Sequence, residues 1–138
     1  MGSNLSFATE ALALLADRAA RHYLEIALRL RRAPSRIIVD AERLIVRSDG
    51  SEIAVGPDRT GVQVAVEATI GAADVVRLID GTAMLETLLA EERLVVLADQ
   101  DALLLIAEAV SIFLDGATRV RPFPPLFERY RDWVDTTP

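Results

Sequence analysis

The stretch from Val62 to Leu114 constrains the fold more than any other part of the chain. It begins with apolar residues at every second position, the pattern of a strand with one buried face. The pattern then predicts two short helices separated by Asp80-Gly81, a strand over 93–98 and a final helix. That helix is apolar on nearly all sides, which predicts burial on more than one side. The stretch therefore predicts a mixed α and β domain with a large apolar interior.

The N-terminal segment predicts a single long helix over residues 5–34. Apolar residues recur there at three- and four-residue steps, as on a helix with one buried face. Ser6 or Thr9 is the expected cap, and Pro34 ends the helix because the residue before a proline avoids helical geometry.

The remaining segments complete one domain over residues 1–138. Residues 36–70 predict antiparallel strands with turns at 41–42 and 48–51, where Asp-Gly favours a hairpin. Residues 71–115 predict the order helix, helix, strand, helix, and residues 119–138 a C-terminal helical extension.

Capping residues predict where the later helices begin and end. Thr82 is the expected cap of the second short helix, and Asp99 or Asp101 that of the apolar helix. Gly116 is the expected stop of the apolar helix, and the last helix is expected to start near Pro125.

Composition excludes several classes of protein. With 51% apolar and 26% charged residues among 138, the chain is too apolar for disorder and long enough for a real core. It has no cysteine, which excludes disulfides and thiolate sites. No apolar run reaches the roughly 18 residues of a membrane span, and the N-terminus lacks the basic start of a signal peptide. These features predict a cytoplasmic protein without an integral membrane span.

The charges exclude further chemistry. All 15 basic residues are arginines, so no lysine is present for a Schiff base or a phosphate loop. The net charge of −6 predicts that nucleic acid is not a partner, because phosphate binding needs a basic face. Arg29, Arg31, Arg32 and Arg36 cluster near the end of the first helix. We expect them to complement the helix dipole, and the alternative is an anion-binding site.

No residue pattern predicts catalysis, a metal site or a cofactor. His22 lies near Glu25 on the first helix, but this pair supplies neither a nucleophile nor three metal ligands. Ser111 lies within an apolar helix and lacks the strand–turn–helix setting of a hydrolase nucleophile.

The chain has many apolar residues and few reactive side chains, which favours a protein that binds a ligand over an enzyme. Most of them must fill a core, but a cavity between the sheet and the C-terminal helices would use the same side chains. Five of the seven aromatic residues fall in the last part of the chain, where they would close such a cavity: Phe113, Phe123, Phe127, Tyr130 and Trp133.

Two segments resemble the sterol carrier protein type 2 (SCP2) family. Residues 69–81 (TIGAADVVRLIDG) are similar to its strand end, its S-x-x-D-hydrophobic helix and its closing glycine. Residues 88–99 (LLAEERLVVLAD) resemble its following G-x-L-x-hydrophobic-x-G-D strand. Here Glu91-Glu92 replaces the glycine before the strand, and Ala98 the one before Asp99.

The resemblance implies an α+β fold with a five-stranded, largely antiparallel sheet covered by helices. It also implies a hydrophobic tunnel for a lipid, acyl chain or sterol-like molecule, and no catalytic residue. Arg77 or Arg119 would orient a head group. By position, the residues expected to bind the ligand are Leu78, Met84, Leu85, Leu88, Leu105, Ile106, Val110, Phe113, Phe123 and Phe127.

Three functions remain open from the sequence. The first is binding or carriage of a hydrophobic small molecule. The second is a cyclase or isomerase that holds a polyketide-like substrate in the same cavity and uses His22 or a buried carboxylate. The third is an interaction module whose C-terminal helix docks a partner or a second copy in a homodimer.

Overall fold

The computed structural model describes residues 2–137, which form six helices and one five-stranded sheet. The helices are α1 (Asn4–Arg18), α2 (Ala20–Arg32), α3 (Ala72–Ile79), α4 (Leu85–Ala90), α5 (Gln100–Thr118) and α6 (Phe123–Thr136). The strands are β1 (Ser35–Val39), β2 (Glu42–Ser48), β3 (Ile53–Pro57), β4 (Val66–Ile70) and β5 (Leu94–Ala98). Over the described range, no helix is both long and apolar enough to cross a membrane.

The sheet has the strand order β3-β2-β1-β4-β5 and is mostly antiparallel, which confirms the predicted fold class. The β1–β4 pair is parallel, so the expectation of antiparallel strands throughout 36–70 is wrong for this pair. Residues 58–65 carry the chain from the edge strand β3 to the far side of β1, which leaves β4 running in the same direction as β1. Strand β4 begins at Val66 rather than Val62.

The loop before β4 is held by Arg36, on the sheet face opposite Ile37. Its Nε donates to Asp58 at 3.0 Å and its Nη2 donates to the carbonyl of Val62 at 3.1 Å. Because successive residues of a strand point to opposite faces, the other face of β1 is left apolar, and the helices pack on that face.

The predicted N-terminal helix is two helices. The chain breaks at Ala19, whose φ of −142° and ψ of 59° are not helical, although neither proline nor glycine is nearby. Helix α1 packs on β3 and α6, whereas α2 packs on α5 and β2. The two segments thus bury their apolar faces against different partners, and this packing requires a change of direction that local sequence does not signal. The cap is Ser3, not Ser6 or Thr9.

Helix α5 begins as predicted, since the Asp99 side chain accepts from the Ala102 amide at 2.8 Å. The expected stop at Gly116 is wrong, because the helix continues to Thr118. A Cβ on Gly116 would lie 2.9 Å from Leu15 Cδ1, so this glycine permits close packing of α5 on the N-terminal helices.

Two other boundaries differ from prediction. Helix α4 begins at Leu85 with Met84 at its cap, and the Thr82 hydroxyl instead donates to the carbonyl of Arg77. Helix α6 begins at Phe123, two residues before Pro125, because prolines fit the first turn of a helix.

The turns of the first two hairpins lie close to their predicted places. The β1–β2 turn is Asp40-Ala41 rather than 41–42, and Asp40 adopts a left-handed φ of 55°. In the β2–β3 turn the Asp49 carboxylate accepts from the amides of Glu52 and Ser51, both at 2.8 Å. These hydrogen bonds lower the pKa of Asp49 to about 2.

Candidate ligand cavity

An apolar cavity of about 310 Å³ lies between the sheet and helices α1, α3, α5 and α6. We call it the inner cavity. Its lining side chains are apolar except for Asn4 and Tyr130. Its floor is formed by Ile37, Val39, Leu44, Val46 and Ile70.

Strand register brings the floor residues together. Ile37 pairs with Leu44 across the antiparallel β1–β2 ladder, and Val39 pairs with Ile70 across the parallel β1–β4 ladder. Paired residues lie on the same face, as do residues two apart along one strand. Apolar residues at alternate positions of three strands therefore form one continuous surface beneath the helices.

Each surrounding helix contributes residues three or four positions apart, which lie on one helical face. The wall residues are Phe7, Ala8 and Ala11 from α1; Val75, Leu78 and Ile79 from α3; Val110, Phe113 and Leu114 from α5; and Leu126, Phe127 and Tyr130 from α6. The two alanines of α1 are small, so they leave space where larger residues would fill it.

Four of the ten predicted ligand residues line the inner cavity, namely Leu78, Val110, Phe113 and Phe127. The other six lie elsewhere. Met84 is 67% exposed. Leu85 and Leu88 pack in the core beneath α4, and Leu105 and Ile106 pack against the group around Val66 and Ala102. Phe123 is fully buried, with its ring centroid 5.7 Å from that of Phe113. The binding role of all ten residues stays a prediction.

The sequence-based list omitted the floor and the α1 wall entirely. Both have a visible signal, since Ile37 and Val39 lie two positions apart in an apolar β-branched run, and Phe7 and Ala11 lie four positions apart on one helical face. The family resemblance and most aromatic residues lie in the C-terminal half of the chain, whereas the α1 wall and most of the floor come from the N-terminal half.

The two polar lining residues join α6 to α1. The Tyr130 hydroxyl donates to Asn4 Oδ1 at 2.6 Å, and Asn4 Nδ2 donates to Glu42 Oε1 at 3.0 Å. Glu42 also accepts from the backbone amides of Asn4 and Leu5, both at 2.9 Å. A carboxylate at a helix N-terminus satisfies free amides and complements the dipole. We call Glu42, Asn4 and Tyr130 the Glu42 network.

The Glu42 network places Tyr130 in an environment that opposes ionisation. Burial is the main cause of the raised pKa of Tyr130, and the charges of Asp40 and Glu42 add to it. Tyr130 is the one titratable side chain among the residues lining the inner cavity, and it remains a neutral hydrogen-bond donor there.

The candidate acid–base residue His22 lies outside the inner cavity, on α2. Its Nε2 lies 2.8 Å from Asp115 Oδ2, and this contact, together with Arg119, lowers the pKa of Asp115. His22 thus ties α2 to the C-terminal end of α5. In residues 2–137, no group of three or more His, Asp or Glu side chains is placed to hold a metal ion.

The two arginines expected at the mouth are engaged elsewhere. Arg77 donates to the buried carboxylate of Asp74 at 3.1 Å, and Arg119 donates to Asp115 at 3.3 Å. Neither residue lines the inner cavity.

No protein-family model and no curated protein matches this chain. Several solved structures resemble it in fold, among them the following three. The first is described as UbiJ-SCP2 Ubiquinone synthesis protein, with a TM-score of 0.58 and 17% identity over 76% of this chain and 85% of that one. The second is the solution structure of sterol carrier protein domain 2 of Helicoverpa armigera, with a TM-score of 0.57 and 14% identity over 73% and 81%.

The third is the apo form of sterol carrier protein 2 from Yarrowia lipolytica, with a TM-score of 0.55 and 10% identity over 84% of this chain and 95% of that one. These likenesses extend over most of both chains, and at such low identity they establish the arrangement of the backbone. The chain therefore has the sterol-carrier-protein-2-like fold that its sequence predicts.

Proposed function

We propose that this protein binds and carries a hydrophobic small molecule, such as a lipid, an acyl chain or a sterol- or polyketide-like compound, in the inner cavity. The observation that carries the proposal is a void of about 310 Å³ whose lining is apolar apart from Asn4 and Tyr130. Protein interiors are otherwise packed about as densely as organic crystals, with few voids larger than a water molecule.

The lining chemistry favours an apolar guest over water. A buried water needs several polar partners, whereas a cavity lined by apolar residues stays dry and accepts apolar molecules. Burial of ligand surface contributes about 25 cal/mol per Å², from which the cost of association is subtracted.

The size of the cavity narrows the class of ligand. Pockets for small molecules span about 300–1,000 Å³, and 310 Å³ lies at the lower end. This volume suits one chain or one compact ring system. Two of the structurally similar proteins are described as sterol carriers, which agrees with carriage.

A matched pair of variants tests the proposal. Val75→Phe adds bulk on the α3 face that lines the inner cavity, and Val76→Phe makes the same change beside it on a residue outside the lining. The probe is Nile red, which is apolar, fluorescent and uncharged. We expect it to bind the wild type and Val76→Phe, and to bind Val75→Phe at least about tenfold more weakly.

Native mass spectrometry of the freshly purified protein provides an independent measurement. A co-purifying apolar molecule that is absent from Val75→Phe would support the proposal. Failure of Nile red to bind the folded wild type, with no co-purifying mass, would overturn it, as would equal binding by both variants.

A further inference from the structure

A second, more polar chamber lies beside the inner cavity. It has a volume of about 560 Å³ and lies between the C-terminal ends of α3 and α5 and the first turns of α6. We call it the outer chamber. The residues that line both spaces, and so lie between them, are Leu78, Ile79, Leu114 and Phe127. Apolar residues of α3, α5 and α6 thus separate the two chambers.

The outer chamber differs from the inner cavity in its charges. Its lining includes Asp80, Glu128 and Arg131. Arg131 donates to Asp80, and the two side chains are 37% and 29% exposed. With Arg131 paired to Asp80, the carboxylate of Glu128 leaves the chamber net negative. The pKa of Arg131 is raised by Asp80 first and also by Glu128 and Asp132, as expected for a cation in a negative potential.

The end of the inner cavity that is lined by Asn4 and Tyr130 also lies near carboxylates. Glu42 and Asp40 both add to the raised pKa of Tyr130, and the Tyr130 hydroxyl proton is already donated to Asn4. An anionic head group would therefore meet carboxylates at either end of the cavity, and like charges at close range are unfavourable.

We propose that the outer chamber is the mouth of the inner cavity and holds the uncharged, hydroxyl-bearing head group of a single-chain amphiphile. The tail of this ligand passes between Leu78 and Phe127 into the inner cavity. This inference rests on the proposed function and specifies the class of ligand. A hydroxyl fits the chamber because it donates to a carboxylate such as Glu128 without adding charge.

The first experiment compares two probes that share one tail. Parinaric acid and the corresponding alcohol carry the same fluorescent polyene and differ only in the head group. At about pH 8, where the acid is ionised, we expect the wild type to bind the alcohol about tenfold more tightly.

Charge reversal in the outer chamber tests the cause of that preference. Glu128 is exposed on α6, and we expect Glu128→Arg to reduce the preference to about threefold or less. Glu86→Arg is the matched control, because Glu86 is exposed on α4, lies outside both chambers and gives the same net charge. Equal binding of both probes by the wild type would overturn the proposal, and so would an equal effect of the two reversals.

The second experiment tests the passage by stopped-flow exchange of the alcohol. Leu78 lines both chambers, whereas Val75 on the same helix lines only the inner cavity. Leu78→Ala should accelerate both association and dissociation by about fivefold or more, because truncation widens the passage. Val75→Ala should weaken binding without accelerating association, and equal association rates in the two variants would exclude this route.

The two experiments separate the two proposals. If Nile red and both polyenes bind without a preference for the alcohol, carriage stands and the assignment of the outer chamber fails. If no apolar probe binds the folded protein, carriage fails and the assignment fails with it.

Discussion

The two ends of helix α3 are held to the rest of the molecule in different ways. At the N-terminal end, the Ala72 amide donates to Asp40 Oδ1 at 3.2 Å. The buried carboxylate of Asp74 also accepts from Arg93 Nε at 3.1 Å. At the C-terminal end, the side chain of Asp80 is tied to α6 by the partly exposed Arg131.

The two ends differ in the burial of the carboxylate and in the number of its partners. Asp74 is 8% exposed and accepts from both Arg77 and Arg93, whereas Asp80 is 29% exposed and pairs with Arg131 alone. A partly exposed ion pair such as the latter contributes about 0–1 kcal/mol. The Glu42 network fixes α1 and α6 to the sheet on the side of Asp40. The cavity thus has a firmly held end, joined by several hydrogen bonds, and a weakly held end, where the Arg131–Asp80 ion pair joins α3 to α6. The second end is the one that borders the outer chamber.

The largest loss of stability is expected when Glu42, the common acceptor of the Glu42 network, is removed. Glu42→Ala leaves the amides of Asn4 and Leu5 and the Asn4 side chain without an acceptor. We expect a loss of about 2–4 kcal/mol in the free energy of unfolding by urea. Glu52→Ala is the control, because that side chain is exposed. A loss no larger than that of the control would mean that the network does not hold this end.

Tyr130→Phe is expected to have the next largest effect. Asn4 Oδ1 then lies buried without its donor, which costs about 1–2 kcal/mol. Because the folded pKa of Tyr130 is raised, its contribution is complete below about pH 10, the unfolded value, and is lost as the pH rises above it. Urea unfolding at several pH values should show a smaller alkaline loss in Tyr130→Phe. An identical loss in both proteins would contradict the assignment.

Asp40→Gly tests the attachment of the N-terminal end of α3. Glycine accepts the left-handed φ of 55°, so the change removes mainly the hydrogen bond to Ala72 and costs about 1 kcal/mol. Glu92→Gly is matched to it, because Glu92 has a φ of 59° and is exposed. Relief of left-handed strain should leave Glu92→Gly neutral or stabilised in thermal unfolding. If Glu92→Gly is destabilised as much as Asp40→Gly, the loss of stability comes from the glycine in the backbone and not from the hydrogen bond to Ala72.

The smallest effect on stability is expected at the weakly held end. Asp80→Asn should change the free energy of unfolding by less than about 1 kcal/mol, since the pair with Arg131 is partly exposed. Hydrogen exchange should nevertheless accelerate at the C-terminal end of α3 and stay unchanged at its N-terminal end. Faster exchange at both ends would show that α3 opens as one unit.

The sequence predicted the fold well because the fold depends on local periodicity. Alternating apolar residues in β4 and three- to four-residue steps in the helices specify which face of these elements is buried. The Asp99 cap of α5 and the turn at Asp49 were also predicted, because each depends on contacts within a few residues.

The lining of the cavity was only partly predictable, because periodicity does not say what a buried residue touches. Phe123 and Phe127 are both apolar and lie one turn apart on α6. Phe123 is fully enclosed by the core, whereas Phe127 borders both chambers. Their different surroundings come from helices that are distant in sequence.

The sequence by itself determined the α+β class, the apolar interior and the absence of lysine and cysteine chemistry. Only the tertiary structure decided that the N-terminal helix breaks at Ala19 and that Gly116 lies within α5 as a site of close packing. It also decided the hydrogen bond between Asn4 and Tyr130, which are 126 positions apart. The physical reason is that a helix or strand encodes its own apolar face, but the meeting of several faces decides whether side chains fill the space between them or leave a void.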